Sequence, residues 1–142
     1  AAGDLPNGVY TLKGNNGKYC SYKPPFTDPD QTNRIVCDRS AVGSWEKFTI
    51  KKNDDGTYSL QGNNGKYCAN DHNNDRVVCD RSWLGDWEKF TIMKNDDGTY
   101  SLKGHNGKYC SRDPNAPSSL SSRMVCDRSR LDIWEKFNIV KI

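Results

Sequence analysis

Gly56-Thr57-Tyr58-Ser59-Leu60-Gln61-Gly62-Asn63-Asn64-Gly65-Lys66-Tyr67-Cys68, followed after a polar loop by Val78-Cys79-Asp80-Arg81-Ser82-Trp83-Leu84-Gly85-Asp86-Trp87-Glu88-Lys89-Phe90-Thr91-Ile92, decides how this chain folds. The first phrase recurs at Gly8 to Cys20 and at Gly98 to Cys110. The second recurs at Val36 to Ile50 and at Val125 to Ile139. Threefold self-similarity over essentially the whole sequence means three copies of one supersecondary unit, none able to bury its apolar face alone. With 142 residues there is length for one shared core but not two. We therefore expect a single domain of repeats at approximately 8–55, 56–97 and 98–142, and any function tied to repeated residues can occur up to three times.

Within each copy, short segments alternate apolar and polar residues between Gly, Asn and Asp, the signature of half-buried strands. In the second copy these are Thr57 to Gln61, Lys66 to Ala69, Val77 to Asp80 and Lys89 to Met93. Four strands per copy predict twelve in all, with no helical periodicity. Asn53-Asp54-Asp55-Gly56 and Asn95-Asp96-Asp97-Gly98 join the copies as tight turns, because Asp-Gly supplies the positive φ that such turns demand. Their acids lack the alternating spacing and terminal Glu of a calcium loop, so no metal is expected. Asn7-Gly8-Val9-Tyr10 matches Asp55-Gly56-Thr57-Tyr58, and the last residues match an internal strand. The first and last strands are thus expected to pair, closing the sheet and removing edges that would template aggregation.

Composition narrows the function. Hydrophobic residues make up only 34% of the chain, and no stretch approaches the roughly 18 apolar residues of a membrane span, so no membrane insertion is expected. Lys and Arg number 21 against 18 Asp and Glu, a net charge of +3 with the signs interleaved. A nucleic-acid partner is not expected, since phosphate binding needs basic residues gathered on one face.

The six cysteines fall in equivalent pairs, Cys20 with Cys37, Cys68 with Cys79 and Cys110 with Cys126. None has the close spacing of a zinc knuckle, and the only histidines are His72 and His105. Two readings stand: cross-strand disulfides, or reduced thiols acting as small core hydrophobes. The even count and a small Ala-Ala-Gly start favour disulfides in a processed, secreted chain.

Three four-stranded repeats resemble a β-trefoil, and the wording resembles its fascin-like branch. The matching residues are Gly65-Lys66-Tyr67, Val78-Cys79-Asp80-Arg81, Gly85-Asp86-Trp87-Glu88-Lys89-Phe90-Thr91-Ile92 and Asp97-Gly98-Thr99-Tyr100-Ser101-Leu102. The resemblance spans nearly the full chain and implies an all-β trefoil of twelve strands. It also implies actin filaments as an alternative partner. This chain departs from fascin in having one trefoil rather than four, and Cys20, Cys68 and Cys110 stand where fascin-like repeats usually carry Leu. A single exported trefoil resembles trefoil lectins and the carbohydrate-binding modules of secreted glycoside hydrolases more closely. The Gln-x-Trp signature of ricin-type lectins is absent, so their sugar contacts cannot be transferred.

The residue inventory argues against an enzyme. His72 and His105 have no counterparts in the other copies and read as exposed turn residues, while most Asp residues serve turns. No cofactor is expected. Asp38-Arg39, Asp80-Arg81 and Asp127-Arg128 have two readings: turn carboxylates with arginine stems laid over the following tryptophans, or adjacent sugar-hydroxyl ligands. Trp45, Trp87 and Trp134 read as core plugs at the barrel end.

Trp83 is different, because its equivalents are Ala41 and Arg130 and a shared core does not require it. A sugar offers an apolar C–H face and a hydroxyl rim, which calls for an aromatic surface beside amides or carboxylates. Trp83 with Asn70, Asp71, His72 and Asn74 fits that need; the alternative is cover for a neighbouring loop. Tyr22, Phe26 and Asp28 on a proline-stiffened loop form a second candidate. Arg112, Asp113 and Asn115 in the third copy lack an aromatic. The expected function is non-catalytic carbohydrate binding, with glycan or polysaccharide as partner. Actin binding and a protease-inhibitor trefoil that presents Pro24 to Pro29 are the alternatives.

Overall fold

The computed structural model describes residues 5–15, 17–22, 35–63, 65–70, 77–112, 124–131 and 135–142, with side-chain detail for all of these except Tyr22, Asp38 and Arg112. The first repeat contributes β1 (Gly8–Lys13), β2 (Tyr19–Tyr22), β3 (Ile35–Arg39) and β4 (Phe48–Lys52). The second contributes β5 (Tyr58–Gln61), β6 (Tyr67–Asn70), β7 (Val77–Arg81) and β8 (Lys89–Lys94). The third contributes β9 (Tyr100–Lys103), β10 (Tyr109–Arg112), β11 (Met124–Arg128) and β12 (Asn138–Lys141). Twelve strands were expected, and their bounds lie within a residue or so of the alternation.

Six strands form a ring. β1 pairs with β4, β4 with β5, β5 with β8, β8 with β9, and β12 with β1, all antiparallel. The remaining step, from β9 to the residue before β12, is a bridge in which Tyr100 N donates to Phe137 O at 2.8 Å and Phe137 N to Tyr100 O at 2.9 Å. The other six strands are the hairpins β2–β3, β6–β7 and β10–β11, which meet one another through β3, β7 and β11 over one end of the ring. A six-stranded barrel capped by three hairpins is the β-trefoil architecture. Pairing of the first and last strands holds, in the register Tyr10 to Lys141 through Lys13 to Asn138.

The core repeats with the sequence. Tyr10 faces Phe48 and Tyr58 faces Phe90 across the paired strands, and Tyr100 faces Phe137 at the bridge. Phe48, Phe90 and Phe137 are fully buried, with Leu12, Leu60 and Leu102 behind them. Burying one such phenyl ring stabilises by roughly 1.5–3 kcal/mol. At the first repeat the symmetry breaks. Leu5 is buried where the other copies have Asn53 and Asn95; its N–H donates to Tyr58 Oη at 3.2 Å, and Tyr10 Oη donates to Pro6 O at 2.5 Å. Burial, then the neighbouring Tyr100 and Tyr58, hold the Tyr10 hydroxyl above its ordinary pKa.

Directly opposed cysteines on each hairpin form the disulfides Cys20–Cys37, Cys68–Cys79 and Cys110–Cys126, with all six residues buried. The disulfide reading of the sequence is therefore correct, and the bonded pairs form the floor of the hairpin cap.

The tryptophans are a correction. Trp45 is half-buried and packs against the outside of the core, Trp87 is half-buried, and Trp134 lies outside the described residues. The plugs are instead the phenylalanines of the same Trp-Glu-Lys-Phe phrase. Trp and Phe three residues apart point to opposite faces of a continuous strand, and here a 3-10 turn, Ser44–Glu46 or Asp86–Glu88, also intervenes. Gly43 N donates to Glu46 Oε1 at 2.6 Å and Gly85 N to Glu88 Oε1 at 2.7 Å, which stabilises each turn and leaves its Trp on the flank.

Candidate functional site

The groove system lies where the second repeat meets its neighbours. The turn between β4 and β5 has the expected form: Asn53 N donates to Thr57 O at 2.7 Å, and Gly56, at φ 90°, donates its N–H to Asn53 O at 3.1 Å. Inside it, Asp55 Oδ1 accepts from Thr57 N at 3.0 Å and from Thr57 Oγ1 at 2.5 Å, while Oδ2 meets Lys89 Nζ at 3.3 Å. Hydrogen bonds from Thr57, with Lys89 adding to them, lower the Asp55 pKa from 3.8 to about 2. Asp97, Thr99 and Lys136 repeat this arrangement, with Lys136 Nζ 3.2 Å from Asp97 Oδ2, and Asp97 is likewise lowered to about 2.

Asp55 and Lys89 form the wall between two depressions. One, of about 390 Å³, is lined by Lys52, Asn53, Asp54, Asp55, Leu84 and Lys89. The other, of about 350 Å³, continues past Asp86 to Thr91, Lys103, Gly104 and His105. His105 meets Trp87 edge-on, with ring centroids 4.6 Å apart and planes at 70°. Lys103 carries its ammonium 4.7 Å above the Tyr109 ring. In this second depression two lysines face two aspartates, so the charged groups balance. The surface offers aromatic edges, carboxylates, ammonium groups and amides in a shallow track, a chemistry suited to a polyhydroxylated ligand.

Trp83 precedes a residue of the first depression in the chain. It is 82% exposed, and the residue it precedes is Leu84.

Other expected site residues are distributed differently. Asn70 is completely buried at the end of β6, with neither amide atom hydrogen-bonded. This is a correction: pressed against Gly104, it does not reach the surface where a ligand would meet Trp83. Asp80 and Arg81 are partly exposed, and Arg81 Nε lies 3.5 Å from Asp80 Oδ1 and 3.9 Å from Glu88 Oε2. The arginine thus bridges its own neighbour to the glutamate that caps the 3-10 turn. In the third repeat Arg128 Nε is 3.4 Å from Asp127 Oδ1 and donates to Ser111 Oγ at 3.2 Å. These contacts fit the turn reading of the Asp-Arg pairs and leave the sugar-ligand reading open. Arg39 is exposed. Asp71, His72, Asn74, Phe26 and Asp28 lie outside the described residues, as do Asp113, Asn115 and the Pro24 to Pro29 segment; the side chains of Tyr22, Asp38 and Arg112 do also.

Sequence reasoning missed the depression beside His105 and the contact of that ring with Trp87. It assigned His105 to an exposed turn, where it is, but not to an aromatic pair. The available signal was the departure from repetition: His105 stands where the other copies have Asn15 and Asn63.

No protein-family model and no curated protein matches the sequence. Solved structures do match, at the level of fold. A designed threefold-symmetric protein, ThreeFoil, superposes with a TM-score of 0.79 at 19% identity, over 95% of this chain and 99% of that one. The agglutinin of Rhizoctonia solani superposes with a TM-score of 0.76 at 17% identity over 100% of both chains. A GlcNAcα1-4Gal-releasing endo-β-galactosidase from Clostridium perfringens superposes at 0.75 with 10% identity, and the 96% of this chain that aligns spans 32% of that one. At these identities the likeness establishes the fold, and the chain is a β-trefoil.

Proposed function

We propose that this protein is a non-catalytic carbohydrate-binding β-trefoil that works outside the cell, as a lectin or as the binding module of a polysaccharide-active system. The observation that carries the reading is Trp83, fully presented to solvent beside a depression whose wall holds Asn53, Asp54, Asp55 and Lys89. An indole face takes the C–H face of a pyranose while amides, carboxylates and an ammonium group bind its hydroxyls. The fold is shared with an agglutinin and with part of a galactosidase, which supports a glycan ligand. All six cysteines are bonded, which supports an oxidising compartment and disfavours a cytoplasmic, fascin-like partnership with actin.

A non-catalytic role is supported by the partners of the reactive groups. No cysteine is free, and His105 has an indole as its ring neighbour rather than a hydroxyl or thiol.

A glycan array followed by titration calorimetry tests the reading. The intact protein should bind one class of glycan, and Trp83→Ala should lower that affinity at least tenfold with an unchanged melting temperature. Equal affinity in the variant would overturn the assignment of Trp83. An empty array together with co-sedimentation on actin filaments would replace the glycan reading with the actin one.

A further inference from the structure

The seam between the first and second repeats holds a groove of about 360 Å³ built from Val9, Lys47, Thr49, Gln61 and Asn63 together with Gly62 and Gly65. These positions are the repeat equivalents of Thr57, Lys89, Thr91, Lys103, His105, Gly104 and Gly107, which line the depression at the next seam. The two grooves are therefore the same place in the fold, filled with different chemistry.

The difference is electrostatic. At the second and third seams the lysine is neutralised, Lys89 by Asp55 at 3.3 Å and Lys136 by Asp97 at 3.2 Å. At the first seam Asn7 stands where those aspartates stand. Its Oδ1 already accepts from Lys52 N at 2.8 Å, and an amide carries no charge to offer Lys47. Among the described residues Lys47 is exposed and has no carboxylate partner, and no acid lines its groove. Beside it, Gln61 Nε2 donates to Gly65 O at 3.1 Å, which fixes the amide and leaves its oxygen and second N–H open. Thr49 and Asn63 add neutral donors and acceptors, and Val9, 39% exposed, gives an apolar strip.

We propose that this groove is a second carbohydrate site, selective for a sugar bearing one negative charge, a carboxylate or a sulfate ester. Lys47 meets the anion, the amides and hydroxyl meet the ring hydroxyls, and Val9 meets the C–H face. One ammonium matches one charge, so a singly charged substituent suits the groove better than a phosphate monoester dianion. The inference rests on the carbohydrate reading but uses none of the residues around Trp83. Because the cation is exposed, the selectivity weakens as salt is raised.

The test uses the full chain with the methyl glycoside of galacturonic acid, the neutral methyl galactoside that corresponds to it and a monosulfated galactose disaccharide. At low salt the wild type should prefer at least one anionic sugar over the neutral one by tenfold or more, and whichever anion binds identifies the substituent. Lys47→Gln should abolish that preference, and Asn7→Asp should do the same by installing the carboxylate that the other seams possess. A wild type without the preference, or a preference that survives Lys47→Gln, overturns the proposal. Trp83→Ala separates the two sites: it should leave the anion preference intact, and if neutral glycans fail while the Lys47-dependent preference persists, only the Trp83 reading falls.

Discussion

At the scale of single residues, the contact between Gly104 and Asn70 shows how closely two repeats meet. A methyl group added at Gly104 would lie 2.6 Å from Asn70 Nδ2 and 2.9 Å from its Cγ, so one side must yield. Asn70 is a fully buried amide without hydrogen bonds, an arrangement that costs free energy. Gly104→Ala should destabilise the protein by about 1–3 kcal/mol through overpacking, as measured by urea unfolding. Adding Asn70→Ala should recover part of that loss, because it removes the two closest contacts and the unpaired amide and leaves only Cβ at 3.1 Å. If the double variant is no better than Gly104→Ala alone, the contact is not the cause. No reading of the sequence finds this pair, since the residues are far apart in the chain and touch only after the barrel closes.

Among the elements, the turns joining the repeats couple local conformation to stability. Asp55 and Asp97 each accept two hydrogen bonds from the threonine two residues on and meet a lysine from the same barrel wall. Their pKa values, about 2 against an ordinary 3.8, are depressed in the folded state. Groups of this kind contribute stability that is fully present above the ordinary value and is lost as the pH falls through the folded one. Thermal melts should therefore show stability declining between about pH 4 and pH 2, and Asp55→Asn with Asp97→Asn should flatten that acid limb. An unchanged slope in the double variant would remove these turns as its source. The turn form was legible because Asp-Gly has few other uses. The lysine partner was not, because it lies more than thirty residues later in the chain.

For the molecule as a whole, the barrel closes through hydrogen bonds, whereas each hairpin of the cap is also cross-linked by a disulfide of its own. The three disulfides span 17, 11 and 16 residues along the chain. Each is worth up to about 3 kcal/mol by restricting the unfolded chain, against a typical domain stability of about 5–15 kcal/mol. Reduction under conditions that keep the protein folded should lower the midpoint of chemical unfolding markedly, with replacement of a single pair by alanines giving about a third of the shift. A midpoint indifferent to reductant would place the stability in the barrel alone. The proposed sites at the first seam and beside Trp83 share one rigid body, which favours avidity on a polymeric glycan.

Repetition in the sequence determined the twelve strands, the pairing of first and last strands and the cysteine partners, because periodic patterns and equivalent positions are local properties repeated three times. It did not separate Trp from Phe in Trp-Glu-Lys-Phe, since which aromatic enters the barrel depends on the phase set by a 3-10 turn. Tertiary structure alone decided that Asn70 is buried, that Trp87 meets His105, and that Lys89 and Lys136 are paired with carboxylates while Lys47, among the described residues, is not. Those outcomes are long-range: each depends on side chains from different repeats brought together by closure of the barrel, and no pattern within one repeat contains that information.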